Sequence, residues 1–401
     1  MAQTINTNIN SLTAQRNLSS SQSSLATSVQ RLSSGLRVNS AKDDAAGLAI
    51  AERLNTQVRG LNVAARNAND GISLAQVAEG ALGKVGESLQ RIRELAVQSA
   101  NATNSASDRA ALQSEVAQLR DEINRVAKQT SFNGTKLLDG SFSAATFQIG
   151  ANSGEAITIA SLTNVSADGL ANVTYGSGDV TNISSAGIST LTAIASGTLA
   201  ISVGGTEYPL SGLAAARNAE ERLGQVAEAI NRRTSDTGVT AYMSKQTSGE
   251  YTLAFRSSAL DPSASVATAS AVTFGGFSVA TTGIGDTSAT IASTNITGFS
   301  ALSVASTETA WLAIKQVDDA LDQVNGARAT LGAVQSRFET AVSNIAIQSE
   351  NTAAARGRIV DADFAVETAN LSRSQILQQA GTAMVAQANQ LPQQVLKLLQ
   401  G

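Results

Sequence analysis

The chain of 401 residues contains no histidine and no cysteine, and its formal net charge is −4. These absences exclude disulfides, Cys- or His-ligated zinc and the Ser-His and Cys-His pairs of nucleophilic catalysis, so the sequence predicts no enzyme, no metal site and no cofactor. No basic patch indicates a nucleic-acid partner. No apolar run approaches the ~20 residues that a membrane-spanning helix needs. The N-terminus lacks a secretory signal, which taken alone predicts a cytosolic protein.

The first 42 residues have helical periodicity but almost no charge, since no acidic residue precedes Asp43. Their apolar residues form what we call the N-terminal stripe: Leu25, Val29, Leu32 and Leu36. A helix whose polar face is Ser, Asn, Gln and Thr is poorly stable alone in water, so this stripe needs a cover.

Two longer helical patterns follow. The first keeps apolar 4-3 spacing over residues 54–96, and Asn69-Asp70-Gly71 is the segment where we expect it to be disturbed. The second begins at Ser107 and Asp108, a hydroxyl cap and an early carboxylate, and ends in the turn-forming string TSFNGTKLLDG.

The middle of the chain, about 140–302, is rich in Gly, Ser, Thr and Ala. The alternating segments TFQIG, AITIA, TLAISVGG, VTAYM and YTLAF predict strands. The helical string AEERLGQVAEAINRRT lies between two strand pairs, which predicts a ββαββ unit at about 197–257. We expect Tyr208, Tyr242 and Tyr251 to serve core or cross-strand packing, not ligand binding.

A third long stripe, interrupted at Arg328 and Gln335, extends from Ile314 to Ile345. The predicted fold is mainly α at both ends, with a coiled-coil terminal domain and an antiparallel helical bundle that N- and C-terminal segments form together. An α+β, β-rich outer domain is inserted between these segments. The predicted division is 1–42 and 359–401 for the terminal domain, 43–170 (with a β-hairpin region) and 303–358 for the bundle, and 171–302 for the outer domain.

The last segment matches the first, because no acidic residue follows Glu367. Its C-terminal stripe consists of Leu377, Met384, Ala388, Leu391, Val395 and Leu398. The simplest cover for both stripes is the opposite terminus together with neighbouring copies, so we expect termini that are poorly ordered in the monomer and form coiled coils on assembly. Disordered tails are the alternative, although tails rarely sustain a 4-3 stripe this far. Pro392 removes one helical hydrogen bond.

Both ends resemble bacterial flagellins. The resemblance rests on INTNINSL, RLSSGLRVNSAKDDAAGLAI, NDGISLAQVAEGAL, LQRIRELAVQSAN and TSFNG near the start, and on DALDQVNGARATLGAVQSRFE, RIVDADFAVETANLSRSQILQQAGTAMVAQANQ and QVLKLLQ near the end. It covers roughly 240 residues of the chain. Within the insertion, AINRRTSDTGVTA resembles a repeat unit of flagellin outer domains.

The resemblance implies a structural subunit that polymerises into the extracellular flagellar filament for swimming motility. It implies export, unfolded and uncleaved, through the flagellar type III channel, which accounts for the missing signal sequence. The implied partners are other copies of the chain, an export chaperone on the C-terminal stripe, and the cap and hook-junction proteins. Three prolines, Pro209, Pro262 and Pro392, suit such a chain because slow X-Pro isomerisation is kept low.

The resemblance also implies a surface patch that binds the vertebrate Toll-like receptor for flagellins, with contacts at Arg91, Leu95 and Glu115. The alternative role of these residues is filament contact, with Arg91 pairing a carboxylate of the next subunit and Leu95 filling a groove.

Three other classes of protein share features with this sequence or with the family that it resembles. A hook-filament junction protein shares weaker versions of the terminal motifs, and a carbohydrate-binding or adhesive protein would act through the insertion. A protease-bearing flagellin needs an H-E-x-x-H motif, which a chain without histidine cannot supply.

Overall fold

A computed structural model describes residues 7–184, 187–203, 206–246, 250–257, 273–285 and 292–399. The helices are α1 (Ile9–Ser34), α2 (Ala45–Ser99), α3 (Ala106–Gln129), α4 (Ala219–Asn231), α5 (Thr234–Thr237), α6 (Val279–Thr282), α7 (Thr307–Val360) and α8 (Phe364–Leu399). The strands are β1 (Ser131–Phe132), β2 (Thr135–Lys136), β3 (Ala145–Gln148), β4 (Ala156–Ile159), β5 (Asn172–Ile183), β6 (Ala200–Val203), β7 (Thr206–Pro209), β8 (Val239–Lys245), β9 (Tyr251–Ser257), β10 (Thr273–Gly275) and β11 (Ala292–Thr297). Helical ends and a β-containing middle confirm the predicted fold class.

The chain divides into two compact units, and α2 and α7 contribute to both. The first unit comprises Met1–Gly71, Thr146–Ile157 and Arg337–Gly401, and the second comprises Ile72–Ala145 and Thr158–Ser336. In the described part of the chain, no helix is long and apolar enough to cross a membrane.

The first unit has a small apolar core between α2 and α7. Leu61 and Ala64 pack with Ile345 there. Earlier on α7, the ring of Phe338 meets that of Phe147 edge to face, with centroids 5.5 Å apart. Aromatic rings favour this geometry, so Phe147 anchors the segment that carries β3.

The expected disturbance at Asn69-Asp70-Gly71 is wrong, because α2 is continuous through these residues. Gly71 is buried, and a Cβ atom built on it would lie 2.7 Å from Cζ of Phe338. The glycine is therefore present because the Phe338 ring packs directly against the helix backbone, not because the helix breaks.

In the second unit, α3 starts two residues earlier than predicted. Ser105, not Ser107, is the N-cap: its side chain accepts from the backbone of Asp108, and the Asp108 carboxylate accepts from the backbone N–H of Ser105. This capping box satisfies two otherwise orphaned donors. The Ser105 hydroxyl and backbone bonds also lower the pKa of Asp108.

The middle segment contains more sheet than the sequence predicts. One antiparallel sheet has the order β11-β5-β9-β8, and another has the order β10-β6-β7. The strand pairs and the helix of the predicted ββαββ unit are present, with β6-β7 in one sheet and β8-β9 in the other. α4 packs between them, and Leu223 and Ile230 share a core with Ile201 of one sheet and Phe255 of the other.

Candidate functional site

The two terminal helices, α1 and α8, pair along a seam with heptad spacing. The seam residues are Ser11, Ala14, Leu18, Ser21, Leu25, Ser28 and Leu32 on α1, and Glu367, Leu371, Ser374, Gln378, Gly381, Val385 and Ala388 on α8, all buried or half-buried. Steps of three and four residues keep one helical face in contact with a partner helix. Nine of these fourteen residues are nevertheless small or polar, which is unlike the apolar seam of a strong coiled coil.

Contacts along the pair fix its register. The Asn8 side-chain amide donates to the Ala388 carbonyl at 2.8 Å, and the Ser11 hydroxyl donates to Oδ1 of Asn389 at 2.7 Å. A Cβ atom on Gly381 would meet Cδ1 of Leu18 at 3.0 Å, so glycine permits a close approach of the helices.

A charged pair lies at the other end of the same seam. Arg31 and Glu367 are 3.9 Å apart, and the Glu367 side chain is only 8% exposed. The Arg31–Glu367 distance is near the upper limit for an ion pair, and most of the seam residues are small or polar. We infer that this helix pair gains little stability from its own contacts.

Several large apolar residues of the two terminal helices are exposed instead of lying in the seam. The outward face, as we call it, consists of Ile9, Leu12 and Val29 on α1 and Phe364, Val366, Ile376, Leu377 and Met384 on α8, each at least half exposed. The helices also carry few charges: Arg16 and Arg31 on α1, and Glu367, Arg373 and Lys397 on α8.

The predicted stripes are divided by this arrangement. Leu25 and Leu32 lie in the seam, Leu36 is half-buried beside it, and Ala388 is buried. Val29, Leu377 and Met384 are 50%, 50% and 64% exposed. The opposite terminus does not cover Leu377 and Met384, which leaves neighbouring copies, the other predicted cover, for these two residues. The side chains of Leu391, Val395 and Leu398 lie outside the described residues.

The connectors next to the helix pair are tied to each other. Leu36 and Asp361 form a β-bridge, and the Arg37 backbone N–H donates to the Val360 carbonyl at 2.7 Å. The Arg37 guanidinium donates to the carbonyl of Ile359 at 2.6 Å, near the C-terminus of α7. A cation there binds unpaired carbonyls and interacts favourably with the helix dipole. No local pattern predicts this role of Arg37, since its partners are more than 300 residues away.

A cluster of exposed charges lies on α2 and α3. Arg91, whose side chain is 49% exposed, donates through Nε to Glu115 and through Nη1 to Glu94, each at 2.9 Å. Hydrogen bonds to Glu94 and then Glu115 raise the pKa of Arg91. Leu95 differs: it is 1% exposed and belongs to the core. The structure thus brings Arg91 and Glu115 together but removes Leu95 from the surface that the resemblance implies.

A second exposed arginine on the same helix is paired differently. The Arg93 Nε atom donates to Oδ1 of Asp318 on α7 at 2.6 Å, and the Arg93 side chain is 46% exposed.

Among the described residues, no group of three or more His, Cys, Asp or Glu side chains is arranged to hold a metal ion.

Comparisons with known proteins give consistent matches. Residues 5–143 match the family described as the bacterial flagellin N-terminal helical region, residues 314–399 match its C-terminal helical region, and residues 198–259 match the flagellin hook IN motif. B-type flagellin of Pseudomonas aeruginosa is 40% identical and flagellin E of Vibrio cholerae 41% identical, each over 100% of both chains.

Among solved structures, FliC from Burkholderia pseudomallei is 27% identical, with a TM-score of 0.38, and the match covers 67% of this chain and 99% of that one. The 40% sequence identity over the full length of both chains, together with the matched end regions, shows that the chain belongs to the bacterial flagellin family. It is a structural subunit of the flagellar filament.

Proposed function

We propose that the chain polymerises through the outward face of α1 and α8, which neighbouring copies cover in the filament. The observation that carries this proposal is the exposure of large apolar side chains on helices with few charges. Covering the exposed half of such a side chain yields roughly 1 kcal/mol, so the whole face is worth on the order of 10 kcal/mol per subunit before the costs of association. A second copy is the fitting occupant because it brings the same apolar face with few charges.

The assembly proposal is tested with Leu377→Ser together with Met384→Ser. The control is Gln375→Ser together with Gln379→Ser, which changes exposed positions on the same helix without removing apolar surface. Thermal unfolding of the monomer and the critical concentration for seeded polymerisation are measured for both proteins. We expect the apolar variant to raise the critical concentration about 10- to 50-fold, since it loses ~2 kcal/mol of burial.

In this test the monomer midpoint and the control protein should be unchanged. An unchanged critical concentration in the apolar variant, or an equal rise in the control, would show that the outward face does not carry assembly.

Before assembly, the same face of α8 is a fitting site for the export chaperone, because a cover on Leu377 and Met384 blocks polymerisation. We propose export through the flagellar type III channel to the outside of the cell, where the cap and hook-junction proteins are further partners. We also propose that the chain has no catalytic role, because it lacks the histidine and cysteine of the usual nucleophile pairs. The terminal, bundle and outer domain boundaries given above remain part of this proposal.

A second candidate function is recognition by the vertebrate Toll-like receptor for flagellins at Arg91 and Glu115. The supporting observation is an exposed arginine held by two carboxylates, a preorganised polar anchor of a type frequent at interfaces. Contact between copies in the filament is the alternative use of the same residues, and both uses are compatible. Leu95 supports this surface from within the core.

The matched pair for this test is Arg91→Ala and Arg93→Ala, since both arginines are about half exposed on α2. Receptor affinity, monomer unfolding and critical concentration are measured for each. We expect Arg91→Ala to lower receptor affinity about tenfold or more and Arg93→Ala to leave it nearly unchanged. Equal affinities of the two variants would remove Arg91 from the recognition site.

Two measurements distinguish a filament subunit from a hook-filament junction protein and from an adhesin. Polymerisation of the purified chain without other subunits separates the filament role from an adhesin. Copy number per flagellum separates a filament subunit from a junction protein.

A further inference from the structure

The chain contains two Asn-Gly pairs, Asn133-Gly134 and Asn325-Gly326. We propose that Asn133 is a site of spontaneous deamidation, at which the side-chain amide is converted to an acid, and that the fold protects Asn325 from the same reaction. The two pairs have the same chemistry, so the difference comes from the backbone around them.

The reaction uses only the dipeptide and water. The backbone nitrogen of the glycine attacks Cγ of the asparagine, a C–N bond closes a succinimide ring, and the Cγ–Nδ2 bond breaks. Ammonia leaves with the proton that the backbone nitrogen loses. Water then opens the ring at either carbonyl, which gives aspartate or isoaspartate without any change of oxidation state. Glycine favours the attack because it has no Cβ beside the nucleophilic nitrogen.

Asn133-Gly134 forms the two-residue loop of a β-hairpin. Ser131 pairs with Lys136, and Phe132 pairs with Thr135. Asn133 and Gly134 have φ values of 48° and 82°, the left-handed conformation of a type I′ turn. In such a loop the flanking residues make the ladder hydrogen bonds, so the Gly134 nitrogen is not held by the ladder.

The space around this loop is open. Asn133 and Gly134 are both exposed, and no atom lies within 4 Å of a Cβ built on Gly134. Neither side-chain rotation nor the entry of water is sterically blocked at the loop.

Asn325-Gly326 is matched in exposure but not in backbone. Both residues are exposed, and a Cβ on Gly326 also meets nothing within 4 Å. They lie in the interior of α7, where each backbone N–H donates to the carbonyl four residues earlier. The attack on Asn325 therefore needs local opening of a long helix, which interior helical residues seldom undergo.

The products have different effects on the hairpin. Aspartate keeps a sequence that also favours the type I′ turn and makes the net charge one unit more negative than −4. Isoaspartate adds a methylene to the backbone, so a two-residue loop no longer keeps the pairing of Phe132 with Thr135. The fully buried Leu137 and Leu138 follow directly in the chain, which places the damage beside a packed core.

The experiment ages the full-length folded chain in mildly alkaline buffer. Proteolytic peptides that contain Asn133 or Asn325 are then followed by mass spectrometry, which detects the exchange of amide for acid and separates isoaspartate. We expect conversion at Asn133 to be about tenfold faster than at Asn325, or more, since only the latter needs helix opening. In denaturant the two rates should become similar.

Two variants serve as controls for the assignment. Asn133→Gly gives a Gly-Gly loop, which suits the same turn, and it should abolish the conversion signal at position 133. Asn325→Gln should leave the signal at Asn133 unchanged. Equal rates at the two sites in the folded chain would overturn the proposal. Conversion at Asn133 in denaturant but not in the folded chain would also overturn it, because the turn would then protect the site.

Discussion

Replacing Gly71 by alanine separates two opposing effects at one position of α2. Alanine is favoured over glycine inside a helix by about 0.8–1 kcal/mol. At Gly71, however, the new methyl group would lie 2.7 Å from Cζ and 2.9 Å from Cε1 of the buried Phe338 ring. Overpacking of this kind costs about 1–3 kcal/mol, so we expect Gly71→Ala to be neutral to destabilising by ~2 kcal/mol.

Gly80→Ala is the matched control in the same helix. Gly80 is exposed, and a Cβ there meets nothing within 4 Å, so the full gain of about 0.8–1 kcal/mol is expected. Urea unfolding of the monomer, followed by helical circular dichroism, measures both variants. A Gly71→Ala protein as stable as Gly80→Ala would refute the account of close packing by Phe338.

A second substitution tests the contact itself. Phe338→Leu removes ring atoms that the new methyl group would meet. Combined with Gly71→Ala, it should give a double variant at least ~1 kcal/mol more stable than the sum of the two single changes predicts. Strict additivity would show that the two residues do not interact.

Three further predictions concern other parts of the chain. Arg37→Met should make amide exchange at the end of α7 about two- to fivefold faster because the carbonyl of Ile359 loses a charged donor, whereas Lys42→Met should not. Burial raises the pKa of Tyr242 to about 12, so the stability from its neutral phenol is present below pH ~10 and lost as pH rises through ~12. Tyr242→Phe should therefore lessen alkaline destabilisation in a pH series of unfolding curves, and an unchanged series would contradict the burial effect. Deleting residues 378–401 should abolish polymerisation while the remaining helices keep their circular dichroism, and filaments of normal stability would refute the role of this terminus.

The long helices and the protein family are predictable from the amino-acid sequence alone. Helical ends follow from local apolar periodicity, and the flagellin resemblance follows from strings that match in order at both ends. The N-cap of α3 is Ser105, two residues before the predicted Ser107, and serine is a favoured N-cap residue at either position. β5 was missed because its glycines, Gly176 and Gly178, lower strand propensity, and only pairing with β9 and β11 makes it a strand.

Which face of each element is buried depends on packing between distant parts of the chain. Periodicity marked Leu377 and Met384 as a stripe in need of a cover, but it could not show that small residues such as Ser374 and Gly381 take the seam instead. The resemblance places Leu95 on a surface, but it lies in the core. The Asn69-Asp70-Gly71 string predicts a disturbed helix, but Gly71 is a packing site. In each case the deciding quantity is the shape and position of a partner surface distant in the chain, which local sequence does not contain.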